Sequence, residues 1–392
     1  MIARADGQIV LVAGAIPGEQ VTARVDRVAK GVAYAETIEV DRPSADRRPA
    51  PPDPLCGGCL YAHVAYPRQL ALKSLVIADA FTRIGRMTIP HPVDVAPSPE
   101  DGYRMRARLH FRHGRLGFFR EGTHEICDAR ATRQLQAAAC DALDRLEAAM
   151  RSLRLDSVSE IELSENVDAS QRVVHLDAAE GIDARVYEKL TSLDGFTRGP
   201  YVTDTVPLGD RAMTLRRHVL AFFQGNRYLL SALAAHVVAQ VPEGAAACDL
   251  YAGAGLFAVG AAIARGSRVV AVESDRYAAA DLAANGAAVG EVTAVHQPVE
   301  RFVAGFDRRR EAVHTILVDP PRVGLSREAA DGIVRMAAAR IVYVSCDVAT
   351  LARDARRLIE NGYELRRIDA FDLFPNTPHV ETVAVFDRHS QR

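Results

Sequence analysis

In the C-terminal part of the chain, short apolar runs alternate with longer stretches whose apolar positions recur at helical spacing. From about residue 216 this alternation is typical of a doubly wound parallel α/β sheet, in which each buried strand is followed by a covering helix. The parallel strands are predicted for residues 247–250, 269–273, 293–296, 315–319 and 341–345. A last, antiparallel strand is predicted for residues 380–386. The pattern therefore predicts a Rossmann-like domain over residues 216–392.

The N-terminal part has a different pattern, in which short alternating runs are separated by glycine-containing turns. Strands are predicted for residues 8–12, 19–28 and 32–40. They make residues 1–50 a small β-barrel-like module, and a linker rich in Pro, Asp and Arg follows over residues 41–54. Residues 51–215 are predicted to form a mixed α+β central domain. A helix is predicted over residues 66–86, where it can pack on the C-terminal domain.

One predicted strand of the central domain has an apolar face and a basic face. Between Tyr103 and Arg112, apolar and basic residues alternate with the period of two that a β-strand requires. The arginines on the basic face are Arg104, Arg106, Arg108 and Arg112. An unpaired row of like charges favours binding to nucleic-acid phosphates, so we expect nucleic-acid contacts here. The alternative is a solvated face whose charges pair with acids elsewhere in the chain.

Composition narrows the possible classes of protein. The chain has 392 residues, with 48 Lys and Arg against 50 Asp and Glu, so any nucleic-acid binding depends on a local basic patch and not on net charge. No apolar run approaches the ~18 residues of a membrane span, and the N-terminus lacks the pattern of a signal peptide. We therefore expect a cytoplasmic protein without membrane association. Its six cysteines do not suggest a disulfide framework; they are candidates for metal binding, nucleophilic chemistry or burial.

A glycine-containing loop follows the first strand of the Rossmann-like domain. Gly253 and Gly255 permit a tight turn and the close approach of a ligand at a helix N-terminus. Glu273 ends the next strand, 20 residues after Gly253, where a carboxylate can accept hydrogen bonds from ribose hydroxyls. These residues alone fit a nicotinamide dinucleotide and S-adenosylmethionine equally well.

Three reactive side chains are predicted at the same edge of the sheet. Asp319 ends the fourth parallel strand, and Cys346 leaves the fifth, where it is a plausible nucleophile. Glu381 is a polar residue at the start of the last apolar run, which suggests a base positioned for catalysis. The structural alternatives are a rigid Pro-Pro loop for Asp319, packing for Cys346 and an edge position for Glu381.

Together, these motifs resemble a known family. Residues 222–226 (FFQGN), 249–255 (DLYAGAG), 319–322 (DPPR), 345–347 (SCD) and 379–383 (HVETV) match, in order and spacing, the S-adenosylmethionine-dependent RNA uracil-5-methyltransferases. The resemblance implies a class I methyltransferase domain that makes 5-methyluridine.

The resemblance also implies a role for each site residue. Cys346 would add to C6 of the uracil, and Glu381 would remove the C5 proton after methyl transfer. The residues implied to line the cofactor and base pocket are Gln224, Tyr251, Gly253, Gly255, Glu273 and Asp319. The substrate is expected to be ribosomal RNA in preference to transfer RNA, and the protein is expected to be a monomer.

The N-terminal part resembles the same family more loosely. Residues 1–40 look like the small RNA-binding barrel called TRAM. The family usually has another strand before the position of Met1, so either a shortened module or a misassigned start is expected. Cys56, Cys59 and Cys127 look like part of the iron–sulfur site of the family. The family has a further cysteine where this chain has Ala50. The resemblance therefore leaves a three-cysteine cluster, a zinc site or an empty remnant open.

Other functions explain fewer of these motifs. A nicotinamide dehydrogenase shares the glycine loop but has no need of Cys346 and Glu381 in these contexts. An amino-directed methyltransferase normally has an aromatic residue after the double proline, where this chain has Arg322. A non-catalytic RNA-binding protein on the same fold would not need Asp319 together with the other two reactive residues.

Overall fold

A computed structural model describes residues 1–89, 91–309 and 312–389 of the chain. The N-terminal module is a four-stranded sheet in the order β1-β2-β4-β3. Its strands are β1 (Ile2–Ala5), β2 (Gln8–Ala13), β3 (Gln20–Ala29) and β4 (Val32–Arg42). The last three were predicted from their alternation. Strand β1 was not, because four residues are too few to establish a period.

The central domain combines helices with a five-stranded antiparallel sheet, whose strand order is β10-β9-β6-β7-β8. The sheet consists of β6 (Arg106–Arg112), β7 (Arg115–Phe119), β8 (Ile126–Asp128), β9 (Val158–Glu165) and β10 (Arg172–Ala178). Before it come α1 (Tyr66–Ala80), which continues as a π-helical turn over Phe81–Gly85, and the short β5 (Val95–Ala96). Helices α2 (Ala137–Ser152) and α3 (Ala184–Thr191) complete the domain.

The C-terminal domain is doubly wound, as predicted. Its strands are β13 (Ala247–Leu250), β14 (Val269–Glu273), β15 (Val292–His296), β16 (Thr315–Val318), β17 (Arg340–Ser345), β18 (Tyr363–Phe371) and β19 (Glu381–Arg388). The sheet order is β15-β14-β13-β16-β17-β19-β18-β5, and only β19 runs antiparallel to its neighbours. The covering helices are α4 (Leu230–Val238), α5 (Leu256–Arg265), α6 (Arg276–Val289), α7 (Val299–Gly305), α8 (Arg327–Met336) and α9 (Val348–Glu360).

Both faces of this sheet are buried, and each face includes residues that lie N-terminal to residue 216. On one face, Ile77 and Phe81 of the α1 segment belong to the same apolar core as the sheet and α9. On the other face, the hairpin of β11 (Tyr201–Leu208) and β12 (Arg211–His218) packs on α4, α5 and α6. The C-terminal core is therefore built from more of the chain than the C-terminal segment alone.

Strand β18 was not predicted, because its sequence mixes Glu, Arg and Asp with apolar residues and gives no continuous apolar run. Within the described residues, no helix is long and apolar enough to cross a membrane.

Candidate active site

The candidate active site lies at the carboxyl ends of β13, β14, β16 and β17. The chain continues from β13 to β14 on one side of the sheet and then returns to β16 on the other side. This reversal opens a crevice between β13 and β16, which is where open α/β sheets bind their ligands. The loops that leave these strands contain most of the residues singled out in the sequence.

The loop after β13 is shaped to receive a ligand. Tyr251, Gly253 and Gly255 have φ angles of 62°, 56° and 99°, which lie in the left-handed region. A Cβ atom at Gly255 would lie 3.0 Å from Leu282 Cδ1, so this position requires glycine for both conformation and space. The Gly253 N–H donates to Glu273 Oε2 at 2.9 Å, which fixes the loop against the end of β14. The glycines and the carboxylate predicted from the sequence therefore meet at one edge.

Asp249, at the base of this loop, supports a fit to S-adenosylmethionine. Its side chain is fully buried, and neither carboxylate oxygen has a partner with good hydrogen-bond geometry within the described part of the chain, although the Ala258 N–H is near enough to lower the pKa of Asp249 in part. Burial and the Asp319 charge raise its pKa well above the ordinary value. Buried polar atoms without partners are costly, and a ligand with donor groups would satisfy them. The sequence analysis quoted Asp249 as part of a motif but gave it no role.

The two residues proposed for chemistry are brought together by strand pairing. Antiparallel pairing of β17 with β19 joins Ser345 to Thr382, so Cys346 and Glu381 are the next opposed positions at the end of the pair. Cys346 directly precedes Asp347, which caps α9 by accepting a hydrogen bond from the Thr350 N–H at 2.8 Å. Cys346 is partly exposed, whereas Glu381 is buried.

Asp319 and Gln224 complete the wall of this pocket. Gln224 Nε2 donates to Asp319 Oδ2 at 3.0 Å, across 95 residues of sequence. The segment that carries Gln224 is fixed to the central domain by a β-bridge between Arg104 and Asn226. The pocket therefore forms where the central and C-terminal domains meet.

Burial disfavours ionisation of all three reactive groups, and neighbouring carboxylates add to this effect at Cys346 and Glu381. Burial, and then the Glu381 carboxylate, raise the pKa of the Cys346 thiol to about 11. Burial raises the pKa of Asp319 to about 7, although the Gln224 hydrogen bond lowers it in part. Burial and the Asp319 charge raise the pKa of Glu381 well above its usual value. Two carboxyl groups in one dry pocket cannot both ionise easily, so the pair tends to retain a proton.

Arg322 is the cation that opposes this effect. Its charge lowers the pKa of both Cys346 and Glu381, and a hydrogen bond to the thiol adds to the effect on Cys346. Arg322 is also close enough to Arg104 to lower the pKa of that guanidinium. The sequence analysis used Arg322 only to exclude another class of enzyme. The sequence feature that could have identified Arg322 as a site residue is its position at the end of the Asp-Pro-Pro-Arg motif.

The basic strand face is not the unpaired row that the sequence suggested. Strand β6 pairs with β9, which sets Glu162 opposite Arg108. Arg108 Nε lies 2.6 Å from Glu162 Oε1, and Arg106 Nη2 lies 3.6 Å from Glu162 Oε2. Nevertheless, the side chain of Arg108 remains 61% exposed. The premise of unrelieved charge was therefore wrong, while RNA binding by Arg104, Arg106, Arg108 and Arg112 stays a prediction.

The cysteines of the expected iron–sulfur site are close together but do not offer three thiolates. Cys56 and Cys127 form a disulfide, with their Cα atoms 5.9 Å apart. Cys59 is buried nearby, and burial raises the pKa of its thiol to about 11. In the three described segments, no group of three or more His, Cys, Asp or Glu side chains is arranged to hold a metal ion. This arrangement does not fit a cluster, and no step below depends on one.

Comparison with known proteins agrees with the site. Residues 196–389 match the family described as tRNA (Uracil-5-)-methyltransferase. The 23S rRNA (uracil(1939)-C(5))-methyltransferase RlmD of Acidithiobacillus ferrooxidans is 32% identical, and the match covers 99% of this chain and 94% of that protein. RlmD of Pseudomonas putida is 31% identical, with 98% and 90% covered.

A solved structure also resembles the whole chain. It is the tRNA (uracil-54, C5)-methyltransferase of Pyrococcus abyssi in complex with S-adenosyl-L-homocysteine, with 25% identity and a TM-score of 0.74. The match covers 96% of this chain and 94% of that one.

The doubly wound sheet, the glycine loop and the crevice, together with the match to methyltransferases, identify a class I methyltransferase. Within that class, the chain belongs to the S-adenosylmethionine-dependent RNA uracil-5-methyltransferase family, as the full-length relatives show. RNA is therefore its substrate, and S-adenosylmethionine is its methyl donor.

Proposed function

We propose that this enzyme methylates C5 of a uridine in ribosomal RNA through a covalent bond between Cys346 and C6, with Glu381 as the proton acceptor. The observation that carries the proposal is the pairing of β17 with β19, which opposes Cys346 and Glu381 at the mouth of the crevice. Asp319, Gln224 and Arg322 surround the two residues. The target base must leave its stack to reach this pocket.

The chemistry follows from the weakness of uracil C5 as a nucleophile. The Cys346 thiol loses its proton to water, and Arg322 favours the resulting thiolate. The thiolate forms a bond to C6, and the electrons of the C5–C6 double bond make C5 nucleophilic. S-adenosylmethionine supplies the methyl group in electrophilic form. C5 would take the methyl carbon as the bond between that carbon and the sulfonium sulfur breaks, which leaves S-adenosylhomocysteine.

The adduct is resolved by proton removal. Glu381 accepts the C5 proton, and the electrons of the C–H bond restore the C5–C6 double bond. The bond between sulfur and C6 breaks in the same step, so the Cys346 thiolate is regenerated. The raised pKa of Glu381 makes its carboxylate a stronger base than an exposed one.

RNA that contains 5-fluorouridine tests the covalent step. Fluorine cannot be removed as a proton, so the wild-type enzyme with S-adenosylmethionine should form a complex that survives denaturant. Cys346→Ala should form none, whereas the control Cys140→Ala, which changes a buried cysteine of the central domain, should form as much as wild type. On natural RNA, Glu381→Gln should accumulate the methylated adduct. A stable complex with Cys346→Ala, or normal turnover by Glu381→Gln, would contradict the proposal.

The choice of ribosomal RNA is supported by the relatives that span almost the whole chain, since RlmD is named for 23S rRNA. The structural relative is named for transfer RNA, so transfer RNA is the alternative. Mass mapping of 5-methyluridine in total RNA from a deletion strain decides between them: the lost modification identifies the substrate.

An iron–sulfur cluster at Cys56, Cys59 and Cys127 has no part in this proposal. Anaerobic purification followed by iron and sulfide analysis checks the cluster hypothesis. A colourless protein without iron would reject the cluster and leave the methyl-transfer proposal intact.

A further inference from the structure

The loop between β18 and β19 leads directly into the catalytic strand. It spans residues 372–380 and is followed by Glu381, the first residue of β19. Asn376, at the centre of the loop, has a left-handed backbone with a φ of 64°. Thr377 Oγ1 donates to the Phe374 carbonyl at 2.8 Å, which closes the loop on itself. A shift of Asn376 would therefore be transmitted along a short, stiff segment to the proposed base.

Gln69 of α1 holds this loop by both ends of its side-chain amide. The Asn376 N–H donates to Gln69 Oε1 at 2.9 Å, and Gln69 Nε2 donates to Asn376 Oδ1 at 2.9 Å. Gln69 is fully buried and lies outside the C-terminal segment. The side-chain amide of Gln69 therefore makes two hydrogen bonds to Asn376, and these fix both the backbone and the side chain of Asn376.

Two further residues complete the contact. Arg48 Nη2 donates to Asn376 Oδ1 at 2.6 Å, and Arg48 is itself held by Glu100 and by the Ala62 carbonyl. The Tyr61 N–H donates to the Asn376 carbonyl at 2.7 Å. We name this group the Asn376 clasp: Asn376 held by Arg48, Tyr61 and Gln69. The clasp connects a loop of the catalytic domain to a segment more than 300 residues earlier in the sequence.

We propose that the Asn376 clasp positions Glu381 for removal of the C5 proton, with Arg48 and Gln69 as positioning residues. The inference rests on the proposed function, because it assigns the clasp to one step of that mechanism. Proton removal needs the carboxylate within hydrogen-bond reach of the carbon acid, and a misplacement of about 1 Å can cost about 10²-fold in rate. Cys346, which adds to C6, directly follows β17 and lies outside this loop.

An ion pair between Lys73 and Asp372, close to the Asn376 clasp, has a different structural role. Lys73 Nζ lies 2.5 Å from Asp372 Oδ1, and both side chains are buried. This pair joins α1 to the end of β18 whether or not the clasp is present. Lys73 Nζ also donates to the Phe374 carbonyl at 3.1 Å, so Lys73 attaches the start of the loop to α1, and the clasp adds the contacts that place Asn376 at the centre of the loop.

The test uses two substitutions at Asn376 that both tolerate the left-handed backbone. Asn376→Gly removes the side-chain acceptor and keeps the backbone bonds to Gln69 and Tyr61, whereas Asn376→Asp keeps the acceptor for Arg48 and Gln69. Ala337→Gly is the matched control, because Ala337 has a φ of 60° at the end of α8 and gains the same backbone freedom.

We expect Asn376→Gly to lower kcat on natural RNA by about 10- to 100-fold and to accumulate the methylated covalent complex. Its rate of complex formation with 5-fluorouridine RNA should equal that of wild type, because that rate reports only the steps before proton removal. Asn376→Asp should restore turnover to within a few-fold of wild type, and Ala337→Gly should behave as wild type.

The inference is overturned if Asn376→Gly turns over normally, or if it slows complex formation and turnover equally, as a general structural defect would. Failure of the proposed function has another signature. In that case the wild-type enzyme would form no stable complex with 5-fluorouridine RNA, or Cys346→Ala would form one.

Discussion

At the level of single residues, the buried carboxyl groups of Asp319 and Glu381 reduce the stability of the folded protein. Both carboxyl groups are harder to ionise in the folded protein than in water, mainly because of burial. An acid whose folded pKa exceeds its unfolded pKa binds more protons when folded. Stability is therefore lost as the pH rises from the unfolded pKa to the folded one. For Asp319 this window runs from 3.8 to about 7.

Removing this ionisable group should therefore stabilise the protein in a pH-dependent way. We expect Asp319→Asn to raise stability at pH 8 by roughly 1 to 3 kcal/mol, with a smaller gain at pH 5, and to lower methyl transfer. Thermal unfolding at the two pH values measures the difference, with the exposed Asp156→Asn as control. An equal gain at both pH values would show that ionisation of Asp319 does not destabilise the fold.

Short motifs at strand ends were enough to propose Cys346, Glu381 and Asp319 from the sequence, whereas Gln224 was proposed from the resemblance to the family; the roles of all four stay predictions. The sequence could not show how these groups alter one another's pKa values. That effect depends on distances and burial across elements far apart in the chain, such as the contact between Gln224 and Asp319. Asp249 was missed for the same reason, since its unpartnered oxygens are visible only in the folded protein.

At the level of elements, the pairing of β6 with β9 decides how much charge is available to RNA. The alternation of apolar and basic residues in the sequence predicted the strand and its basic face. It could not predict that Glu162 faces that strand, because register between strands about 50 residues apart is a tertiary property. Glu162 neutralises part of the face, so it should compete with RNA phosphates for Arg106 and Arg108.

Two substitutions should therefore change RNA affinity in opposite directions. Glu162→Gln should tighten binding and steepen its salt dependence, because it frees guanidinium charge. Arg108→Ala should weaken binding and reduce the salt slope by about 0.7 for each lost single-strand phosphate contact. Salt titration of binding to substrate RNA measures both. Arg83→Ala, which removes an exposed arginine of the α1 segment paired with Asp79, is the control.

Weaker binding by Glu162→Gln would show that Glu162 organises the face instead of masking it. Unchanged binding by Arg108→Ala at physiological salt would show that this part of the face is only solvated.

On the scale of the whole molecule, the C-terminal sheet is completed by residues from the first quarter of the chain. Strand β5 adds to β18, and α1 covers α9. The sequence predicted the helix but not its exact partners, and two residues of β5 are too short to give a strand pattern. Long-range pairing of this kind leaves no local signal, although it determines where the catalytic loop is held.

The buried pair of Lys73 and Asp372 should make this connection a main source of stability. Lys73→Met leaves the Asp372 charge buried without its counter-ion, which we expect to cost about 3 to 5 kcal/mol. Thermal unfolding should show a large loss, and the double variant Lys73→Met/Asp372→Asn should recover much of it. Arg356→Ala, which breaks an exposed pair with Glu360, should change little. A negligible effect of Lys73→Met would mean that the pair is already neutral when folded.

The contact of β5 with β18 also has a consequence for synthesis on the ribosome. Val95 of β5 pairs with Ala370 of β18, so β5 cannot pair until about 275 further residues have been translated. At roughly 5 to 20 residues per second, this delay is roughly 15 to 55 s. During that time Ile77 and Phe81 have no sheet to cover and Lys73 has no counter-ion. We therefore expect the apolar face of α1 to stay uncovered until late in translation.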